Sequence, residues 1–151
     1  MTELDEIDRL LLREMSEDAT QSAGLLGRKI GLSQPATWRR VQRLYGSGAL
    51  RGRRLDLDAE KLGFGVTVFL GVKLAAKGGV GLEAFERAVS AIPEVQLVQH
   101  VLGLFDYRLR VVARDLSDFE RVLRRRIMAL PGVGSIEANV MLSEERLPGP
   151  L

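Results

Sequence analysis

The sequence predicts an α+β chain in which an N-terminal winged helix-turn-helix precedes a C-terminal ferredoxin-like βαββαβ sandwich. Three observations predict it. Three helical apolar stripes follow one another in the first third of the 151 residues. From Val66 onward the rhythm changes to strands and helices in the order β-α-β-β-α-β. Between them, the stretch from Arg28 to Arg54 holds eight cations and no acid, so that everything outside it sums to −6 although the chain as a whole is +2. Such polarisation points to a polyanionic partner met by one part of the chain. The plain alternative is a solvated helix face, and the pattern between the arginines decides.

The first helix opens at LDEIDRLLLREM. Asp5 is the expected N-cap, with Asp8 three residues on as a variant capping box and Leu4 as the staple before it. Ile7, Leu11 and Met15, with Leu10, supply the inward stripe. SAGLLGRKIG gives a short second helix with Leu25, Leu26 and Ile30 inward. Its glycines, Gly24 and Gly27, lower helix propensity and suggest close packing against a neighbour. Gly31 and Leu32 make a tight turn.

Ser33 caps the third helix, Pro35 falls harmlessly in its first turn, and Thr37, Val41 and Leu44 share the inward side. Gln34, Trp38 and Gln42 form the outward row, flanked by Arg39, Arg40 and Arg43. A lone tryptophan is usually buried, but here the inward positions are already filled. Two helices, a glycine turn and a basic third helix bearing amides and an exposed aromatic describe a helix-turn-helix. Arginines neutralise phosphates without sequence preference, glutamine pairs with adenine edges and an indole meets thymine methyls. Gln34 and Trp38 are therefore the candidate base readers, with Ser33 and Gln42 beside them, and Arg39, Arg40 and Arg43 the candidate backbone contacts. GSGALRGRRLDLD is expected to form a turn and a two-stranded wing whose Arg51, Arg53 and Arg54 reach flanking phosphates.

In the second region Val66, Val68, Leu70 and Val72 mark one strand face. Leu82, Phe85, Val89 and Ile92 mark a helix, Val95–Leu102 and Tyr107–Ala113 two strands, Phe119, Val122, Leu123 and Ile127 a helix, and Ile136–Leu142 a last strand. The echo of Ala91-Ile92-Pro93-Glu94-Val95 in Ala129-Leu130-Pro131-Gly132-Val133 suggests two βαβ halves. Two helices cover one sheet face; the other, expected to be apolar and uncovered, predicts a two-fold dimer through the sheets. The expected divisions are 1–50 for the helix-turn-helix, 51–65 for wing and hinge, 66–145 for the ferredoxin-like unit and 146–151 for a flexible tail.

With no cysteine, disulfides and thiolate metal sites are excluded. No apolar run approaches the roughly 20 residues of a membrane span, and TELDEIDR has nothing of a signal peptide; the expectation is a soluble, cytoplasmic protein. His100, the single histidine, has no second histidine or cysteine with which to share a metal and is read as structural. Arg121, Arg124, Arg125 and Arg126 are read as a solvated helix face or a subunit contact.

From LDEIDRLLL through IGLSQPATWRRVQRL and LDAEKLG to GLFDYRLRV and LPGV, the chain resembles the leucine-responsive regulatory protein and asparagine-synthesis regulator (Lrp/AsnC) family. The resemblance implies a DNA-binding transcriptional regulator in which a hinge joins the winged helix-turn-helix to an effector-sensing domain. It implies homodimers that often assemble further to octamers, a pseudo-palindromic operator in double-stranded DNA, and an amino acid or similar small-molecule effector. It places the effector near Gly103, Leu104, Asp106 and Tyr107 and near Asn139, Val140 and Met141 on the last strand. Leu102 departs from the pattern, since relatives often carry Ser or Thr there. The glycine would admit a ligand carboxylate to backbone amides and Asp106 would hold an ammonium group; read without the resemblance, Gly103 and Asp106 make a hairpin turn. No cofactor, metal site or catalytic residue is expected. Siroheme decarboxylases resemble the same family in layout, but carry a His-Asn-Tyr segment where this chain has Phe105-Asp106-Tyr107. A metabolite sensor without DNA binding is the third reading, against which the basic helix argues.

Overall fold

The computed structural model describes residues 4–75 and 79–145. Contacts divide the chain into a first unit ending at Asp56 and a second spanning Leu57–Glu144.

The first unit is built on α1 (Glu6–Glu17), α2 (Ala23–Ile30) and α3 (Gln34–Gly46). Each helix starts at a side-chain cap that satisfies an otherwise orphaned N–H. Asp5 accepts from the Asp8 N–H at 2.7 Å while Asp8 accepts from the Asp5 N–H at 3.3 Å, completing the expected capping box. Ser22 accepts from Leu25 and Ser33 from Ala36. Gly31 closes α2 at φ 74°, a left-handed conformation that a side chain disfavours. Leu11, Met15, Leu26, Val41 and Leu44 form the core of this unit, with Leu4 and Ile30 packed at its edge. Leu10 and Leu25, both expected inward, are exposed instead. Each lies one 100° step from a buried neighbour, on the shoulder of its stripe.

Of the two α2 glycines, Gly27 is the close-packing one. A Cβ there would stand 2.5 Å from the Leu32 carbonyl oxygen and 2.7 Å from Thr37 Oγ1, whereas one on Gly24 would meet only ordinary contacts. The two-stranded wing expected after α3 does not form: residues 51–58 are exposed and contain no strand. Only Leu55 and Leu57 alternate there as apolar residues, and neither finds a core to cover it.

The second unit follows the predicted order with β1 (Val66–Leu74), α4 (Gly79–Val89), β2 (Val95–His100), β3 (Tyr107–Ala113), α5 (Leu116–Val122) and β4 (Val133–Val140). A π-helical turn, Leu123–Ile127, continues α5. All pairings are antiparallel and the strand order is β2-β3-β1-β4. Val68, Leu70 and Val72 are buried beneath Phe85 and Val89 of α4 and Phe119, Val122 and Ile127 of the second helical segment. At both halves of the internal echo the chain turns from helix to strand, Val95 N donating to Ile92 O and Val133 N to Leu130 O. β4 begins three residues earlier than expected and ends two earlier. Backbone pairing with Leu74 and Lys73 recruits the weakly apolar Val133–Ser135, and Gly134 leaves room for Ala75. β2 likewise stops at His100, two residues short of Leu102.

The uncovered sheet face is less apolar than expected. Phe69 and Leu97 share it with Arg108, Arg110, Gln99 and Asn139 by strand alternation. The expected flexible tail at 146–151 lies outside the described residues.

Candidate functional site

On α3 the buried residues are Thr37, Val41 and Leu44, which fixes the outward side. Gln34, Trp38, Arg39 and Gln42 are exposed there, Trp38 to 57%. Gln34, Pro35, Trp38 and Arg39 line one shallow hollow of about 380 Å³ on the helix front. Ser33 serves the helix itself: its hydroxyl accepts from Ala36 N, and its carbonyl accepts from Thr37 N and Thr37 Oγ1. Arg39, Arg53 and Arg54 are exposed and have no hydrogen bond or ion pair among the described residues.

Arg40 and Arg43 are placed differently from expectation. Asp8 of α1 is fully buried, and it accepts from Arg40 Nη1 at 2.8 Å on one oxygen and from Arg43 Nη2 on the other. Arg40 also reaches Asp5 Oδ2 at 2.6 Å. The Arg40 guanidinium beside Asp5 is the main reason that carboxyl is held below the usual carboxylate range. Lys29 pairs in the same way with Glu14. Acids of α1 therefore engage three of the eight cations counted between Arg28 and Arg54. The sequence carried the signal in Asp5 and Asp8, but an acid in the first helical turn already has an explanation as a cap.

The second unit scatters the expected effector residues. Gly103 sits on the β2–β3 loop with nothing within 4 Å of its missing side chain, and Leu104 is exposed. Asp106 ties the loop to the sheet: its carboxylate accepts from Leu74 N at 2.8 Å, and its own N–H donates to Val72 O at 2.9 Å. Tyr107 belongs to the core. Its ring contacts Phe85, His100 stacks on it at 4.8 Å, and its hydroxyl donates to Glu86 Oε1 at 2.6 Å. Burial, with the Glu86 acceptor, pushes the phenol up to about 12. Met141 N donates to Thr67 O, and Val140 is half exposed at the sheet edge.

Asn139 of the expected set lines a hollow in this unit. A hollow of about 230 Å³ on the open sheet face is bounded by Phe69, Leu70, Gly71, Phe105, Arg108 and Asn139. Gly71 is required there because a Cβ would fall 2.5 Å from the Phe105 ring. Arg108 is exposed and has no hydrogen bond or ion pair among the described residues. Strand alternation could have found it, since Arg108 and Arg110 oppose the buried Tyr107, Leu109 and Val111. On the second helical segment Arg121 pairs with Asp118 and Arg124 with Glu120 three and four residues away, while Arg126 reaches Glu94 at 2.8 Å from 32 residues away in sequence. Among the described residues no group of three potential metal ligands occurs, and no helix is long and apolar enough to cross a membrane.

A helix-turn-helix with a solvent-facing amide, indole and guanidinium row, followed by a ferredoxin-like unit, defines a DNA-binding transcriptional regulator with a ligand-binding domain. Family models match both units. Residues 4–45 match the AsnC-type helix-turn-helix domain and residues 67–148 the Lrp/AsnC ligand binding domain. The chain belongs to the Lrp/AsnC family. It is 35% identical to the Bkd operon transcriptional regulator of Pseudomonas aeruginosa, over 97% of this chain and 96% of that one. It is 34% identical to a proline dehydrogenase transcriptional activator of Rhizobium radiobacter, over 97% and 94%. An AsnC family transcriptional regulator from Agrobacterium tumefaciens superposes with a TM-score of 0.87 at 31% identity, covering 97% of this chain and 95% of that one. A regulator of Neisseria meningitidis solved with L-methionine shares the fold at a TM-score of 0.91 and 24% identity, covering 99% and 96%.

Proposed function

We propose that this chain is a sequence-specific regulator of transcription, not an enzyme, acting in the cytoplasm as a homodimer that assembles further to an octamer. Two α3 helices then enter successive major-groove faces of a pseudo-palindromic operator, about 34–36 Å apart or a multiple of that. Gln34, Trp38 and Gln42 read base edges, with Ser33 holding the helix front in place. Arg39, Arg53 and Arg54 meet phosphates. The exposure of Trp38 on a helix whose other side is packed carries this reading.

The effector in this proposal is an amino acid or a similar small carboxylate. Arg108 supplies the charge, Asn139 an amide, and Phe69 and Phe105 apolar walls around the hollow. Gly103 and Leu104 lie on the same loop as Phe105, while Asp106, Tyr107, Val140 and Met141 hold loop and strand in place. Because the hollow lies on the sheet face where a second copy would pack, occupancy and assembly are coupled, and operator affinity follows assembly.

One experiment tests both halves: selection of bound duplexes from a random pool, with light scattering of the protein in the presence of an amino-acid panel. The proposal expects an enriched palindrome and a particle size that changes with one class of amino acid. An unenriched pool would remove the sequence-specific reading, and a constant particle size would remove the effector-coupled assembly.

A further inference from the structure

We infer that Asp8 is a specificity-determining residue of the DNA-binding surface: it holds Arg43, and with Asp5 holds Arg40, against α1, and so keeps two cations of the recognition helix off the DNA backbone. The inference rests on the DNA-binding reading of α3.

The geometry is unusual for a surface arginine pair. Asp8 is 0% exposed, yet both of its oxygens are taken by cations of α3, and one of them also accepts the Asp5 N–H. Arg43 has a side chain 49% exposed and belongs to the same helix face as Arg39, within reach of a phosphate if it swung outward. Breaking its bond to a buried carboxylate would leave that charge incompletely matched away from water, which is costly. The bound position is therefore favoured over the outward one. Arg39, Arg40 and Arg43 line one hollow of about 270 Å³, and the two acids beneath it leave this arginine group with a net charge of only +1.

Every phosphate neutralised adds affinity for all DNA alike, so a cation withheld lowers non-specific binding more than it lowers discrimination. Asp8 thus sharpens the ratio between operator and bulk DNA by restricting its neighbours, without touching DNA itself. The sequence shows eight cations; the fold leaves fewer of them available.

The test compares full-length wild type, Asp8→Asn and Arg43→Gln by fluorescence anisotropy, using a selected operator duplex and a random-sequence duplex across a salt series. Asn preserves the size of Asp8 and an acceptor for the Asp5 N–H. Asp8→Asn is expected to release Arg43 and to steepen the slope of log affinity against log salt by about 0.9. Random-sequence binding then strengthens about threefold per fourfold dilution of salt relative to wild type, and the operator-to-random ratio falls. A purely structural Asp8 would lower thermal stability with the slope unchanged, and that result overturns the inference. Arg43→Gln guards against poor folding of the first variant. It is expected to leave slope and ratio unaltered, because Arg43 makes no phosphate contact in the wild type. Flattening by about 0.9 would show that it does make one and would overturn the inference. Wild-type protein with no salt-dependent DNA binding would overturn the DNA-binding reading itself, and this inference with it.

Discussion

Gly27 of α2 lies so close to Thr37 of α3 that a single added carbon would stand 2.7 Å from the threonine hydroxyl oxygen. This contact sets the approach of the two helices, and with it the presentation of Trp38 one residue further along. Gly27→Ala should gain about 1 kcal/mol of helix propensity and lose more from overpacking, about 1–3 kcal/mol. The expected outcome is net destabilisation in urea melts. Gly24→Ala, where the same carbon meets only ordinary contacts, should be neutral or stabilising.

The Tyr107–Glu86 hydrogen bond gives a pH-dependent prediction. The phenol is raised from 10.0 to about 12 in the folded chain. Its contribution to stability is therefore complete below pH 10 and is lost as pH rises through about 12. Tyr107→Phe should remove this part of the alkaline loss while costing roughly 1 kcal/mol at neutral pH. Denaturant midpoints of the two proteins are thus expected to converge between pH 10 and 12.

On the acid side, the Asp5 carboxyl lies below its ordinary 3.8, chiefly through its hydrogen bond with Arg40. Stability from this group is present above that value and disappears as pH falls through the lowered one. Asp5→Asn should therefore show a shallower loss of helicity below about pH 4, monitored by circular dichroism.

Gly71 and Phe105 give a test confined to the second unit. Gly71→Val must displace the Phe105 ring that floors against it, reshaping the hollow beside Arg108. An amino-acid effector is expected to bind on the order of tenfold more weakly, equivalent to about 1.4 kcal/mol, by calorimetry.

Legibility in the sequence followed how local the cause was. Asp5, Ser22 and Ser33 cap helices through partners three residues away, so pattern alone shows where α1 and α3 start. The alternation of Val66–Val72 and the paired Ile92-Pro93 and Leu130-Pro131 turns fixed the β-α-β-β-α-β order in the same way. What local pattern does not carry is long-range. Asp8 is fully accounted for as the partner of Asp5 in a capping box until α3 brings Arg40 and Arg43 over it, 32 and 35 residues later. Tyr107 looks like a loop-edge ligand group until register places it opposite Val72, with its ring among Phe85 and His100. Turn signals alone place Arg53 and Arg54 on a wing, whereas residues 51–58 form no strand.

Trp38 offers the most direct test of the central claim, because it is the only tryptophan in the chain and lies on the proposed reading face. Its emission should be recorded during titration with the selected operator duplex, with saturation followed independently by anisotropy. The account predicts quenching and a spectral shift that saturate with binding, and a smaller change with random-sequence DNA at equal occupancy. Full binding with unaltered tryptophan emission would place α3 away from the groove and contradict the account.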